Sequence, residues 1–289
     1  MPASAVNTTP AGGLRLGGWY YVTKTIKGRR YRYRQRTWRE GGRVRTESHY
    51  IGAETLPSGA FLGEDARHML TPKLDILPAP QQRLWGELNT TPEQFTLYGG
   101  TALALRLGHR FSVDFDFFGA AGFNPAELRA RVPYLAGGRT LQEEPNTLTM
   151  SLDRGGPVQV SFLGVPTLGQ VEPHETVEGP GFKVASLLDL SGMKAAVVYR
   201  RAEPKDYLDI HALLTQAKVP LPMMLAAANA IYGEEFNALI SLKAISYHDD
   251  ATLAALPESL RRDLIAAVRQ VDVNALPELK PIKPRGGAS

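Results

Sequence analysis

Polar and apolar residues alternate with a period of two in three early segments and one central one, and follow a helical period through the second half of the chain. Trp19 to Ile26, Arg29 to Trp38 and Arg43 to Ile51 read as the strands of an antiparallel meander, with turns at Lys27-Gly28 and Glu40-Gly41-Gly42. Within the second strand, alternation sets Arg30, Arg32, Arg34 and Arg36 on one side and Tyr31 and Tyr33 on the other. Residues 73–90 predict a helix broken by Pro78 and Pro80. Phe95 to Tyr98 predicts a short strand that enters a helix through Gly99-Gly100-Thr101. The segment Ser112-Val-Asp114-Phe-Asp116-Phe-Phe118 predicts the next strand, and its apolar Val113, Phe115, Phe117 and Phe118 mark it as buried. A short helix over 125–136 and two strands, Thr147 to Asp153 and Pro157 to Leu163, follow. From Ser186 the spacing predicts helices over 186–201, 204–217, 221–232, 234–246 and 258–272.

These elements predict an α+β fold with a helical C-terminal half. The expected order is a flexible lead over 1–14, a basic three-stranded β module over 15–55 and a linker over 56–72. An α+β core over 73–217, C-terminal helices over 218–276 and a disordered tail over 277–289 complete it.

Composition narrows the classes. The chain has 289 residues, 43% of them hydrophobic, enough for a sizeable core. It has no cysteine, which excludes disulfides and thiolate metal sites. No apolar leader opens it and no run of about 18 apolar residues crosses it, so a soluble cytoplasmic protein is expected. Charge is uneven: residues 1–50 carry net +9 and the remainder −5. That asymmetry points to an anionic partner at the basic end.

The chemistry concentrates in two places. Gly99 and Gly100 stand where a strand becomes a helix, and glycine allows positive φ and close approach there. The free N–H groups of the helix start suit an anion, and Thr101 can cap the helix or bond a phosphate. Ser112, Asp114 and Asp116 project from one face of the following strand. Two close carboxylates repel each other, and a divalent cation such as Mg2+ or Mn2+, shared with triphosphate oxygens, would relieve that repulsion. Arg106 and Arg110, four apart, could reach phosphate, whereas His109 reads as structural. The second place is helical. Ser186 to Asp189 looks like a capping box, and Lys194 falls inside the apolar stripe of Leu187, Leu190, Val197 and Val198. A lysine there needs an anion. On the next helix Asp206 falls within the stripe of Tyr207, Ile210, Leu213 and Leu214, with Asp209 at its border. An ion pair of Lys194 with either acid would pin the two helices. The same lysine could also grip a nucleotide phosphate.

Taken in order, Gly99-Gly100-Thr101 with Ser112-Val-Asp114-Phe-Asp116-Phe-Phe, then Ser186-Leu-Leu-Asp-Leu with Met193-Lys194, then Lys205-Asp206-Tyr-Leu-Asp209, resemble the AbiEii/AbiGii toxin-like nucleotidyltransferases. The resemblance spans roughly residues 75–217. It implies a polymerase-β-like nucleotidyltransferase core, with a mixed sheet and flanking helices, and transfer of a nucleotide from an NTP under Mg2+. Characterised relatives are toxins of toxin–antitoxin systems, some of which modify the 3′ end of tRNA, so an antitoxin partner and a tRNA acceptor are implied. By this resemblance Asp114 and Asp116 hold metal, and Gly99, Gly100, Thr101 and Ser112 line the phosphate site. Lys194, Asp206 and Asp209 complete it. One departure stands out: on Val158 to Phe162, Ser161 occupies the place where many polymerase-like transferases carry a third acid.

The arginines of the first module interleave with aromatics, a pattern suited to RNA phosphates and bases. Two rival functions follow from the same residues. One is a non-catalytic nucleic-acid-binding protein on a degenerate transferase fold. The other is a transferase that modifies a protein or a small molecule.

Overall fold

The computed structural model describes residues 19–26, 29–41, 43–54, 69–201, 203–248, 251–253 and 255–282. The chain divides into two compact units, residues 1–62 and 63–289. The expected lead over 1–14 lies outside the described residues, as does most of the expected linker.

The first unit holds strands β1 (Trp19–Ile26), β2 (Arg29–Glu40) and β3 (Arg43–Glu54), paired antiparallel in the order β1-β2-β3. The register of β1 on β2 is unbroken, and Arg30, Arg32, Arg34 and Arg36 pair with Thr25, Thr23, Tyr21 and Trp19. Between β2 and β3 the register shifts at Arg32/Tyr33. The side chains of Arg30, Arg32 and Arg34 lie outside the described residues. Arg36 is exposed and ion-paired with Glu47, its partner across β3, at 2.5 Å. At that position the anion expected from RNA is already matched by a carboxylate of the protein.

The second unit is built on an eight-stranded mixed sheet in the order β4-β10-β11-β5-β6-β9-β8-β7. Its strands are β4 (Met69–Leu70), β5 (Phe95–Tyr98), β6 (Asp114–Gly119), β7 (Arg139–Glu144), β8 (Thr147–Asp153), β9 (Pro157–Gly164), β10 (Glu175–Val177) and β11 (Lys183–Val184). Pairing of β6 with β9 is parallel and with β5 antiparallel. The helices are α1 (Ala79–Trp85), α2 (Gly99–Leu107), α3 (Pro125–Arg131), α4 (Leu187–Val197), α5 (Pro204–Thr215), α6 (Leu221–Tyr232), α7 (Ala238–Ser246) and α8 (Glu258–Arg269).

Alternation along β6 separates two faces. Phe115 and Phe117 are wholly buried on one, where Phe117 stacks on Phe162 with centroids 5.4 Å apart. Full burial of such a ring stabilises the fold by about 1.5–3 kcal/mol. On that same face Trp85 of α1 meets Phe115 and Phe182. The opposite face carries Asp114, Asp116 and Phe118, together with Tyr98 and Thr96, which are directly paired with Asp116 and Phe118.

Several sequence expectations are corrected here. Val113 is 48% exposed because regular pairing begins only at Asp114, so the buried strand is shorter than its apolar run. The expected linker contains β4, which pairs with β10, so the sheet begins at Met69. Of the expected tail, residues 277–282 are described and lie along the core: Ile282 N–H donates to Gln170 O at 2.8 Å, and Leu279 packs against the cluster of Val171, Ala227 and Ile231. The last residues, 283–289, lie outside the described set.

Candidate active site

Each glycine of the diglycine turn makes room for a different side chain. Gly99 has φ +73°, and a methyl there would lie 3.0 Å from Asp116 Oδ2. Gly100 is helical, and a methyl there would lie 2.2 Å from Arg110 Nη2. The close approach read from the sequence as room for a ligand is therefore used first by the protein itself. Tyr98 is the N-cap of α2 and offers no side-chain bond, and the first turn holds no acid. The leading N–H groups of α2 thus keep the donor capacity and positive end of an uncapped helix.

Thr101 and Ser112 are braces. Their hydroxyls lie 2.7 Å apart, both side chains are buried, and Thr101 Oγ1–H also donates to Asp114 O. They lock the start of α2 to the start of β6 and so fix the carboxylate pair. Asp114 and Asp116 are partly exposed. Burial raises the pKa of both, and for Asp116 the charge of Asp114 adds to it. A hydrogen bond from Ser161 and the charges of Lys205 and Lys194 act in the opposite direction on Asp116. Ser161 pairs directly with Asp116 across the parallel ladder. The position beside the carboxylates is therefore filled by a neutral donor. Among the described residues no third acid or histidine joins them into a cluster of three metal ligands.

The second constellation closes into one ion cluster. Lys194, on α4, has its Nζ 2.7 Å from Asp206 Oδ1 and 2.7 Å from Asp209 Oδ2, both on α5. Both acids are completely buried. Arg201 donates to Asp206 at 2.9 and 3.2 Å. His109 Nε2–H donates to Asp209 at 2.6 Å, and Arg110 donates to it at 2.7 and 3.0 Å. Burial pushes Asp209 up, but the bonds from His109 and Arg110 and the charge of Lys194 outweigh it, and its carboxyl sits well below the usual range. Lys194, Arg110 and Arg201 surround the two carboxylates, and at the edge of the cluster Glu203 pairs with both Arg201 and Lys205, so four basic side chains meet three acids. Lys194 donates one hydrogen bond, to Asp206, and is ion-paired with Asp209 as well, so its ammonium keeps donor capacity beyond the cluster. Its charge reaches Asp116, as does that of Arg201. The two constellations read from the sequence therefore share one electrostatic neighbourhood.

Arg106 does not join them. It pairs with Glu175 at 2.8 Å and donates to Ala185 O, behind α2. Arg110 is not on the helix: Gly108 (φ +68°) ends α2 in a left-handed cap, and the chain turns so that Arg110 returns over Gly100. His109, read from the sequence as structural, is buried against Asp209 within the ion cluster. Arg201 and Lys205 were not among the expected site residues. Neither follows a periodicity, since both depend on how α5 enters beside β6.

The uncapped start of α2, the Arg110 guanidinium over Gly100 and the Asp116 carboxylate beside Gly99 thus adjoin, and the family match makes the protein a nucleotidyltransferase. The chain belongs to the family of nucleotidyl transferase AbiEii toxins of type IV toxin–antitoxin systems, whose model matches residues 83–280. An uncharacterized protein of Aquifex aeolicus strain VF5 is 30% identical over 161 residues, 54% of this chain and 75% of that protein. Among solved structures, MenT4, a nucleotidyltransferase toxin of Mycobacterium tuberculosis H37Rv, aligns with TM-score 0.47 and 16% identity, over 67% of this chain and 83% of its own. An H. pylori chain aligns with TM-score 0.40 and 16% identity, over 66% and 90%. No helix among the described residues is long and apolar enough to cross a membrane.

Proposed function

We propose that the protein transfers a nucleoside monophosphate from an NTP to an acceptor hydroxyl on RNA, with the 3′ end of tRNA as the favoured acceptor, and acts as a toxin held in check by an antitoxin. The observation that carries the reading is geometric: both constellations meet at the diglycine turn, where a methyl on Gly99 would lie 3.0 Å from Asp116 Oδ2 and one on Gly100 2.2 Å from Arg110 Nη2, whose guanidinium is bonded to Asp209 of the ion cluster.

The acid pair fits a hard divalent cation: burial raises both carboxyls, the charge of Asp114 raises Asp116 further, and a cation between the two oxygen donors would relieve that charge. Asp114 and Asp116 would hold Mg2+ or Mn2+, which supplies charge neutralisation on the departing pyrophosphate and activation of the attacking hydroxyl. The start of α2, Arg110 and the ammonium of Lys194 bind the triphosphate. Asp206 and Asp209 act as buried counter-ions: with every oxygen engaged by cations they orient Lys194 and Arg110, and they stand apart from the metal ligands. Ser161 orients Asp116. In net terms the acceptor loses its proton, one O–P bond forms at the α-phosphorus, and one anhydride bond breaks.

Labelled NTPs incubated with total RNA or total protein test this. Label should enter RNA, require a divalent cation, and vanish in Asp114→Ala with the fold intact. Full labelling in that variant, or label confined to protein, rejects the corresponding part. Ser161 favours one rival, binding without chemistry, which predicts RNA affinity in the absence of any NTP affinity.

A further inference from the structure

A cavity of about 310 Å³ opens on the sheet face that carries the acid pair, lined by Thr96, Tyr98, Phe118, Ala121, Gln170 and His174 among others. Its place relative to Asp116 follows from register. Phe118 is the next residue on the same face of β6, about 7 Å along the strand, and Tyr98 and Thr96 stand directly opposite Asp116 and Phe118 on β5. We propose that this cavity receives the nucleoside of the donor NTP, with its base against Phe118. The inference rests on the nucleotidyl-transfer reading and deepens it.

Three observations support that occupant. The size lies at the lower end of small-ligand sites, about 300–1,000 Å³, which suits one base and its sugar. The walls combine a flat apolar surface with fixed polar edges. The half-buried Phe118 is held edge-on by Tyr98 at 5.1 Å, and His174 is held by both hydroxyls, Nδ1 to Thr96 and Nε2 to Tyr98, each at 3.1 Å. Aromatic faces accept any base, and fixed polar groups choose among them. The far wall is also fixed. A methyl on Gly169 would lie 2.8 Å from Ile231 O, and Gly169 N–H donates to that oxygen, so the loop packs closely on α6 and is bonded to it. An α-phosphate beside Asp116 leaves the nucleoside one strand step to cross, and the cavity begins at that step.

The whole chain is used for the test, with two variants. Ala121→Trp fills the cavity from an exposed position, so the core is untouched. Phe118→Leu removes the flat face and keeps apolar bulk. Equilibrium binding of each of the four NTPs and of inorganic tripolyphosphate, with Mg2+, is measured beside RNA labelling. Wild type should bind at least one NTP more tightly than tripolyphosphate. Ala121→Trp should weaken that NTP tenfold or more and leave tripolyphosphate unchanged, while Phe118→Leu should compress the discrimination among the four bases. Unchanged NTP affinity in both variants, with wild type labelling RNA, overturns the cavity assignment alone. A rise only in the RNA concentration needed for half-maximal labelling assigns the cavity to the acceptor and overturns it equally. No binding of NTP or tripolyphosphate by wild type overturns the transfer reading together with it.

Discussion

At the scale of single residues, the site is decided by which group stands beside which charge. Arg110 lies over Gly100 and is tied to Asp209 and Phe111 O, so it cannot swing aside freely. Gly100→Ala should therefore cost about 1–3 kcal/mol, the range for overpacking. Arg110→Ala should cost about 1–3 kcal/mol through the partly unpaired Asp209. Their combination should be no worse than Arg110→Ala alone, because the clash disappears with the guanidinium. Denaturation midpoints of the four proteins give the coupling, and additive losses reject the contact. Asp209 carries a pH signature. Its folded pKa is depressed, so its stabilisation is complete above the ordinary carboxylate pKa of about 4 and fades as pH falls toward the folded value. Asp209→Asn should cost roughly 3–5 kcal/mol at pH 7. The gap between variant and wild type should close below about pH 4, and a gap constant with pH would show that the charge is not the cause. Asp116 works the other way. Its raised pKa means that the ionised form strains the fold at neutral pH, with the strain lifting as pH falls through the raised value. Asp116→Asn should raise the metal-free melting temperature at pH 7 while abolishing labelling. A lower melting temperature would count against burial of the charge, and its repulsion by Asp114, as sources of strain.

At the scale of elements, the lysine is aimed by a close helix crossing. On α4, Gly192 sits two residues before Lys194, and a methyl there would lie 2.8 Å from Ala227 C and Ala228 N on α6. Backbone cannot yield as a side-chain tip can. Gly192→Ala should destabilise the fold by about 1–3 kcal/mol and weaken tripolyphosphate binding by shifting Lys194. Stability loss with unchanged anion affinity would separate the crossing from the site. Ser186 caps the same helix by accepting from Asp189 N–H at 3.0 Å, and its loss should cost about 1 kcal/mol. Much of this was legible in the sequence. Lys194 in an apolar stripe demanded an anion, and Asp206 and Asp209 on the next helix supplied two. Alternation placed Asp114 and Asp116 on one face, and α6 was read to the residue. Other parts had no local signal. The two-residue strands β4 and β11 and the three-residue β10 are too short for any period to register, and they exist because the sheet edge needs backbone partners. Arg110 reaches Gly100 only because Gly108 reverses the chain, and a helical projection continued past that glycine sends it elsewhere. Arg106 was misplaced for a related reason: spacing along α2 gives its phase but not which side faces β10 and β11.

At the scale of the whole molecule, chemistry and charge sit in different units. The matched family region begins at residue 83, inside the second unit, and every residue of the acid pair and ion cluster lies there. The net +9 belongs to residues 1–50, which fall in the first. The second unit has its own continuous core, from Ile76 to Leu264, so it should fold without the first. A protein reduced to residues 63–289 should then unfold in one cooperative step, bind NTP as the full chain does, and still label RNA at high RNA concentration. Its affinity for RNA should fall, and the fall should be electrostatic. For single strands the logarithm of the binding constant drops with the logarithm of salt at about 0.7 per neutralised phosphate, so losing about five contacts flattens the slope by about 3.5. Arg36 tempers the expectation, because its pairing with Glu47 leaves it less charge to give. Titrating full-length and shortened protein with total RNA at several salt concentrations reads this directly. Equal affinities and equal slopes would place RNA recognition in the catalytic unit and leave the basic sheet for some other anion.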